Sequence, residues 1–341
     1  MDVPGWVWAL TVGVVVAMLV ADYVGHVRAA HEPSLREAAA WSAAYVGIAV
    51  AFGVVVWLVW GSGPGGEYAA GYVTEKSLSV DNLFVFVLIM ASFRVPRRYQ
   101  QKVLLTGITV ALVLRTAFIF VGAALIAQVT WVFYLFGAVL LYAAWTQLRS
   151  GEEHGEFHEN AVLRLTRRLF RVTDDYVGDH LVVRRDGRRW VTPLLVVMVA
   201  VGSADVMFAV DSIPAIFGLT QETYLVFAAN AFSLLGLRQL FFLVDGLLDR
   251  LVYLAYGLAA ILAFIGAKLV LHALHTNELP FVNGGEHVTV PEIPTATSLV
   301  VIVAVLTVTT VASLWRSRRD GPPPTTTAAD PTVTDVTGTV R

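Results

Sequence analysis

Cysteine is absent from the 341 residues, which excludes disulfides, thiolate metal sites and cysteine nucleophiles. Charge is scarce as well. Asp, Glu, Lys and Arg make up 15% of the chain against 57% hydrophobic residues, and the mean hydropathy is +0.68. A soluble domain carries about 25% charged residues, so the composition points to a polytopic membrane protein. No P-loop, Gly-rich phosphate loop or nucleophile elbow is present, which argues against an ATP-driven pump. We read the chain as a non-enzyme without a cofactor. The start, MDVPGW, lacks a basic n-region and a small-residue cleavage site, so the first apolar run is read as a retained span.

Nine apolar runs reach roughly the 20 residues that cross a bilayer. They cover approximately residues 5–25, 38–60, 68–92, 103–127, 129–148, 191–218, 222–248, 250–274 and 295–315. The predicted fold is therefore all-α, a polytopic transmembrane bundle. Lys and Arg orient it. With the N-terminus outside, 20 of the 24 basic residues fall on inner segments and none on the outer connections. The other four, Lys76, Arg115, Arg238 and Lys268, lie within spans. The membrane domain is expected over 1–320. A charged inner linker at 149–190 divides it, and AVLRLTRRLFRV inside that linker is expected to form an amphipathic helix at the membrane surface. The tail 321–341 lacks apolar density and is expected to be disordered.

Acids are what the spans do contain. Glu75-Lys76-Ser77-Leu78-Ser79-Val80-Asp81-Asn82 lies in the third run, and Asp205-Val206-Met207-Phe208-Ala209-Val210-Asp211-Ser212 in the sixth. Each stretch has an acid, five residues, a second acid, then a small polar side chain. A charge at mid-bilayer costs about 2.5–3.5 kcal/mol on insertion scales, so such acids are functional candidates. The first stretch is followed by Leu114-Arg115 and YLFGAVLLY, the second by Leu237-Arg238 and LAYGLAAIL. This suggests repeats at about 68–148 and 191–274, offset by three spans and therefore inverted.

These residues resemble the TerC family of integral membrane proteins, which includes Alx-type proteins. EKSLSVDNLFVF and FAVDSIPAIF match its two signature stretches. LGLRQLFF and YGLAAILAFIGAK match further blocks, and Asp22 stands where the family has an acid in its first span. The resemblance covers roughly residues 15–315. It implies a multi-pass protein of the bacterial inner membrane, named for tellurium resistance and related to manganese exporters. The family often has Glu three residues before the acid at 205; here the position is Gly202, with Ser203 beside it.

Six helical residues advance about 600° and 9 Å, so Glu75 and Asp81 stand about 120° apart and cannot chelate one ion from a straight helix. Glu75, Ser79 and Asn82 share one face, as do Asp205 and Ser212. Counting depth in opposite directions sets Glu75 level with Asp211 and Asp81 level with Asp205. The expected path has acids at two levels, with Glu75, Asp81, Asn82, Asp205, Asp211 and Ser212 as metal ligands. Ser79, Asn230, Arg115, Arg238, Lys268 and Asp22 support them. Pro214 lacks an amide donor and would free the Val210 carbonyl for the path. Oxygen ligands suit Mg²⁺, Ca²⁺ and Mn²⁺; the resemblance selects Mn²⁺, as exported cargo. The expected partners are the bilayer and this cation, with no nucleic acid.

Blander readings accompany each feature. The acids could pair with Arg115, Arg238 and Lys268 and only lock helices together. Met207 could be plain packing rather than a soft ligand. His154 and His158, in HGEFH, do not fit the metalloprotease pattern and are read as a solvated segment or a weak cytosolic metal site. The competing function is an interaction protein of a stress or tellurium-resistance complex, docking through 149–190.

Overall fold

The computed structural model describes residues 1–24, 34–129, 131–150, 164, 168, 170–173, 175–185, 188–244, 253–277, 279–280 and 282–320. The tail 321–341, His154, His158 and Asp245 lie outside the described residues. The helices are α1 (Gly5–Asp22), α2 (Leu35–Trp60), α3 (Ser62–Ser92), α4 (Arg97–Gln128), α5 (Val132–Ser150), α6 (Pro193–Phe217), α7 (Thr223–Leu234), α8 (Leu237–Val244), α9 (Leu254–His275) and α10 (Thr295–Asp320). A hairpin of β1 (Val182–Arg185) and β2 (Arg188–Val191) stands before α6.

Among the described residues, eight helical segments are long and apolar enough to cross a membrane, and they coincide with eight of the nine apolar runs. The ninth run is α3. It is 31 residues long but carries Glu75, Lys76 and Asp81 in its middle. It tolerates them because α2, α6, α7 and α10 pack around it. The segment formed by α7 and α8 is the most enclosed, at 89% buried, whereas α2 and α10 are each 17% buried. Their outward faces carry Leu58, Val59, Val300 and Val308, each more than half exposed. A soluble monomer rarely exposes so much contiguous apolar surface; hydrocarbon is the solvent that suits it.

The seventh span is not one helix. It breaks at Leu235–Gly236, where Gly236 has φ +82, a conformation that costs glycine nothing. A Cβ there would also sit 2.9 Å from that of Tyr45. Nonhelical backbone at this depth needs partners. Leu235 N–H still donates to Ala231 O at 3.0 Å, and Leu240 N–H to Gly236 O at 3.0 Å.

Three apolar clusters fill the bundle. The first gathers α1, α2, α3, α4, α6, α7 and α8; the second is built on α5, α9 and α10; a small third one joins Ile119 of α4 and Val226 of α7 to the C-terminal half of α6. Residues of α3 and α6 enter the first two, so these two helices form the seam. α5 and α9 approach closely, at paired glycines. A Cβ on Gly266 would meet Leu140 Cβ at 3.1 Å and Gly137 O at 3.2 Å. Small residues let membrane helices pack this tightly. Gly266→Val is expected to destabilise the protein by about 1–3 kcal/mol through overpacking, seen as a lower melting temperature in detergent. Unchanged melting would mean that α5 and α9 separate freely.

The linker helix expected over AVLRLTRRLFRV is helical at Arg164 and Arg168 and is corrected only at its end. Val172 bridges to Val191, and Thr173 N–H donates to Val191 O at 2.9 Å. Extended pairing with β2 therefore replaces helix there; most of 161–170 lies outside the described residues. Asp179 beyond it accepts from Lys102 Nζ at 2.9 Å. This ammonium holds the Asp179 carboxyl below the usual range.

Candidate metal path

Arg115 organises the middle of the bundle. It projects from α4 and is wholly buried. Its Nε and Nη2 donate to Asp205 Oδ2 and Oδ1 at 3.1 and 3.0 Å, a bidentate pair. Its Nη1 donates to Glu75 Oε1 and Oε2 at 3.1 and 3.0 Å, and to Ser212 Oγ at 3.1 Å. With the Asn82 amide turned to suit its neighbours, Asn82 Oδ1 accepts from Arg115 Nη2 at 3.2 Å. Asn230 Nδ2 donates to Glu75 Oε1 at 2.7 Å. One guanidinium thus unites the Glu75–Asn82 stripe of α3 with the Asp205–Ser212 stripe of α6. Its planar fork suits two carboxylates at once.

Asp81 and Asp211 stand apart from this hub. Both line an enclosed cavity of about 50 Å³ with Leu78, Asn82, Gln147, Phe208, Leu258 and Leu262. Gln147 Nε2 donates to Asp81 Oδ2 at 3.0 Å. A water needs about 10–15 Å³ by this kind of measure, so the cavity has room for a cation together with a few waters. Among the described residues no three His, Asp or Glu side chains are gathered to hold one metal ion. The oxygen set available here is two carboxylates with the amide oxygen of Gln147.

The depth-based pairing is therefore corrected. Glu75 meets Asp205 across Arg115, and Asp81 meets Asp211 across the cavity. Position around the helix decides this. Asp81 lies about 100° from Asn82, and Asp211 about 100° from Ser212, so each turns away from the Arg115 stripe. The long arginine side chain then spans the difference in height.

The other polar residues fall into separate places. Asp22 is buried, and its Oδ1 accepts from Arg238 Nη2 at 3.2 Å and from Gln239 Nε2 at 3.1 Å. The pair ties α1 to α8 outside the acid path, so Asp22 does not support the ligands directly. Lys268 Nζ donates to Ser298 Oγ at 3.1 Å. Ser79 Oγ lies 3.4 Å from Ser233 Oγ. Met207 is 64% exposed and faces outward rather than into the cavity. Val210 and Pro214 line a separate apolar groove with Phe118 and Phe136, so a ligand role for the Val210 carbonyl gains no support. Gly202 is buried, and a Cβ there would meet Val110 at 3.8 Å, ordinary contact. Sequence reasoning missed Gln147. It lies two residues before Arg149, where a polar side chain reads as the end of a span.

A second, larger cavity of about 530 Å³ opens where α6 ends. Glu67, Phe217, Glu222, Lys268, His272 and Glu292 are among its lining residues. Phe217 is six residues beyond Asp211, about 9 Å along the helix.

The comparisons with known proteins agree with this architecture. The model of the integral membrane protein TerC family matches residues 60–321. A Mycobacterium tuberculosis membrane protein described as uncharacterized is 55% identical over 322 residues, covering 93% of this chain and 81% of its own. A Myxococcus xanthus membrane protein with the same description is 39% identical over 315 residues, covering 92% and 93%. The Alx protein of Escherichia coli K12, named as a candidate membrane-bound redox modulator, is 36% identical over 300 residues, covering 86% and 88%. No solved structure matches the chain. With eight apolar helical segments of spanning length among the described residues and a family match over most of the chain, this is a multi-pass integral membrane protein that belongs to the TerC family.

Proposed function

We propose that this protein carries a divalent metal cation, Mn²⁺ first, out of the cytoplasm, with Asp81 and Asp211 as its central ligands. The observation that supports this reading is the cavity in which one acid from each signature stretch meets the other. Gln147 adds an amide oxygen, and such an oxygen set suits Mn²⁺, Mg²⁺ and Ca²⁺.

In this reading Arg115 pairs with both Glu75 and Asp205 through charge-assisted hydrogen bonds. They keep α3, α4 and α6 together, and Asp81 and Asp211 receive the ion. The N-terminus lies outside the bacterial inner membrane, and the larger cavity at the end of α6 is the outer mouth. The two signature regions are inverted repeats that rock around the seam. Protonation of the carboxylates would release the metal, so proton exchange is the natural counterflow. Relatives carry a redox name. A chain without cysteine has no thiol of its own to exchange, and metal supply is the route by which it could touch redox state.

Everted membrane vesicles test the reading. They should accumulate ⁵⁴Mn²⁺ when the protein is present, with unlabelled Mn²⁺ competing better than Ca²⁺ or Mg²⁺. Acidifying the bath should slow uptake, because the carboxylates bind metal only when deprotonated. Equal accumulation with and without the protein would end the proposal.

A further inference from the structure

Lys76 has a role that neither the acid cavity nor the Arg115 hub uses. It follows Glu75 on α3, yet among the described residues no carboxylate pairs with it. The structure gives its ammonium one hydrogen bond, Nζ to Ser233 O at 3.1 Å. Ser233 stands in the last turn of α7, just before the break at Leu235–Gly236. The carbonyls at a helix C-terminus lack intrahelical donors and carry the negative end of the dipole. Around this point the α3–α7 seam is lined with neutral oxygen. Ser79 Oγ and Ser233 Oγ lie 3.4 Å apart. Asn230, one turn earlier on the same face of α7, donates to Glu75 through Nδ2. Its Oδ1 is buried and has no partner among the described residues.

Carbonyls at interrupted helix ends coordinate monovalent cations in carriers, and here two hydroxyls and an unpartnered amide oxygen lie along the same seam. A divalent ion would need carboxylates, and the nearby Glu75 is already matched by Arg115. We propose that the α3–α7 seam is a monovalent-cation site which the chain fills with its own Lys76 ammonium. The tethered charge stabilises the broken end of α7, and the protein needs no Na⁺ for its fold. Removing the side chain should open the seam to Na⁺.

Melting of the purified full-length protein in detergent, in NaCl and in choline chloride of equal concentration, tests this. The wild type should melt alike in both salts. Lys76→Ala should melt lower than wild type in choline and recover with Na⁺ by a saturable rise of at least about 2 °C. Lys76→Met, which fills the space without charge, should show no Na⁺ response. Identical melting of Lys76→Ala in the two salts would overturn the proposal, and so would an equal Na⁺ response in wild type or in Lys76→Met. If Lys76→Ala is recovered only when Na⁺ is present throughout extraction, the proposal stands; failure in both salts transfers the same comparison to Lys76→Ser. No divalent flux enters these readouts, so the metal-carrier reading and this one fail separately.

Discussion

Arg115→Met will destabilise the bundle by about 3–5 kcal/mol, the range for breaking a buried ion pair by removing one partner. The substitution leaves Glu75 and Asp205 facing each other in a dry interior, with only Asn230 and neighbouring hydroxyls to solvate them. Both side chains are almost fully buried, at 0% and 3% exposure, so solvent cannot take up the charge. The acids would protonate or the helices would part. Arg115→Lys should recover part of the loss, since an ammonium restores charge but cannot fork to two carboxylates. Adding Glu75→Gln and Asp205→Asn to Arg115→Met should recover more, because the triple variant buries no uncompensated charge. Melting in detergent and the amount of protein in the membrane read these differences. Wild-type melting of Arg115→Met would show that the guanidinium does not hold the two stretches together.

Much of this hub was legible in the sequence. The spacing of Glu75, Ser79 and Asn82, and of Asp205 and Ser212, placed each set on one helical face, and Arg115 and Asn230 were recognised as supporting residues. What sequence could not supply was the rotation of each helix about its axis. Depth alone paired Asp81 with Asp205; packing turned Asp81 and Asp211 toward α5 and α9 instead. Helix rotation is fixed by contacts such as Gly137 against Gly266, which join positions far apart in the chain. The break at Gly236 was hidden for a related reason. A single glycine in an apolar run is compatible with a straight helix, and only the Tyr45 ring pressed against it shows why the chain departs there. The hairpin 182–191 was hidden by its arginines, which read as an inner, solvated charge segment.

Asp81→Asn and Asp211→Asn are each expected to weaken Mn²⁺ uptake into everted vesicles by roughly one to two powers of ten in apparent affinity. A charge-assisted contact contributes about 1.5–3 kcal/mol, and every 1.4 kcal/mol or so is tenfold. Asparagine keeps the shape of the side chain and one oxygen ligand, so the loss reports charge rather than collapse of the 50 Å³ cavity. The effect should differ in kind from that of Arg115→Met. The two Asn variants relieve charge repulsion in the cavity and should melt at or above the wild-type temperature, whereas the Arg115 variant loses stability first and transport as a consequence. Gln147→Ala should fall between, with uptake reduced by less than either Asp substitution, because it removes an amide that orients Asp81 but no charge. The double variant Asp81→Asn/Asp211→Asn should show little further loss beyond one of them, as expected for two ligands of one ion. Independent, multiplicative losses would place the two carboxylates at separate ions. Full uptake by both single variants at normal membrane levels would remove the cavity from the transport path altogether.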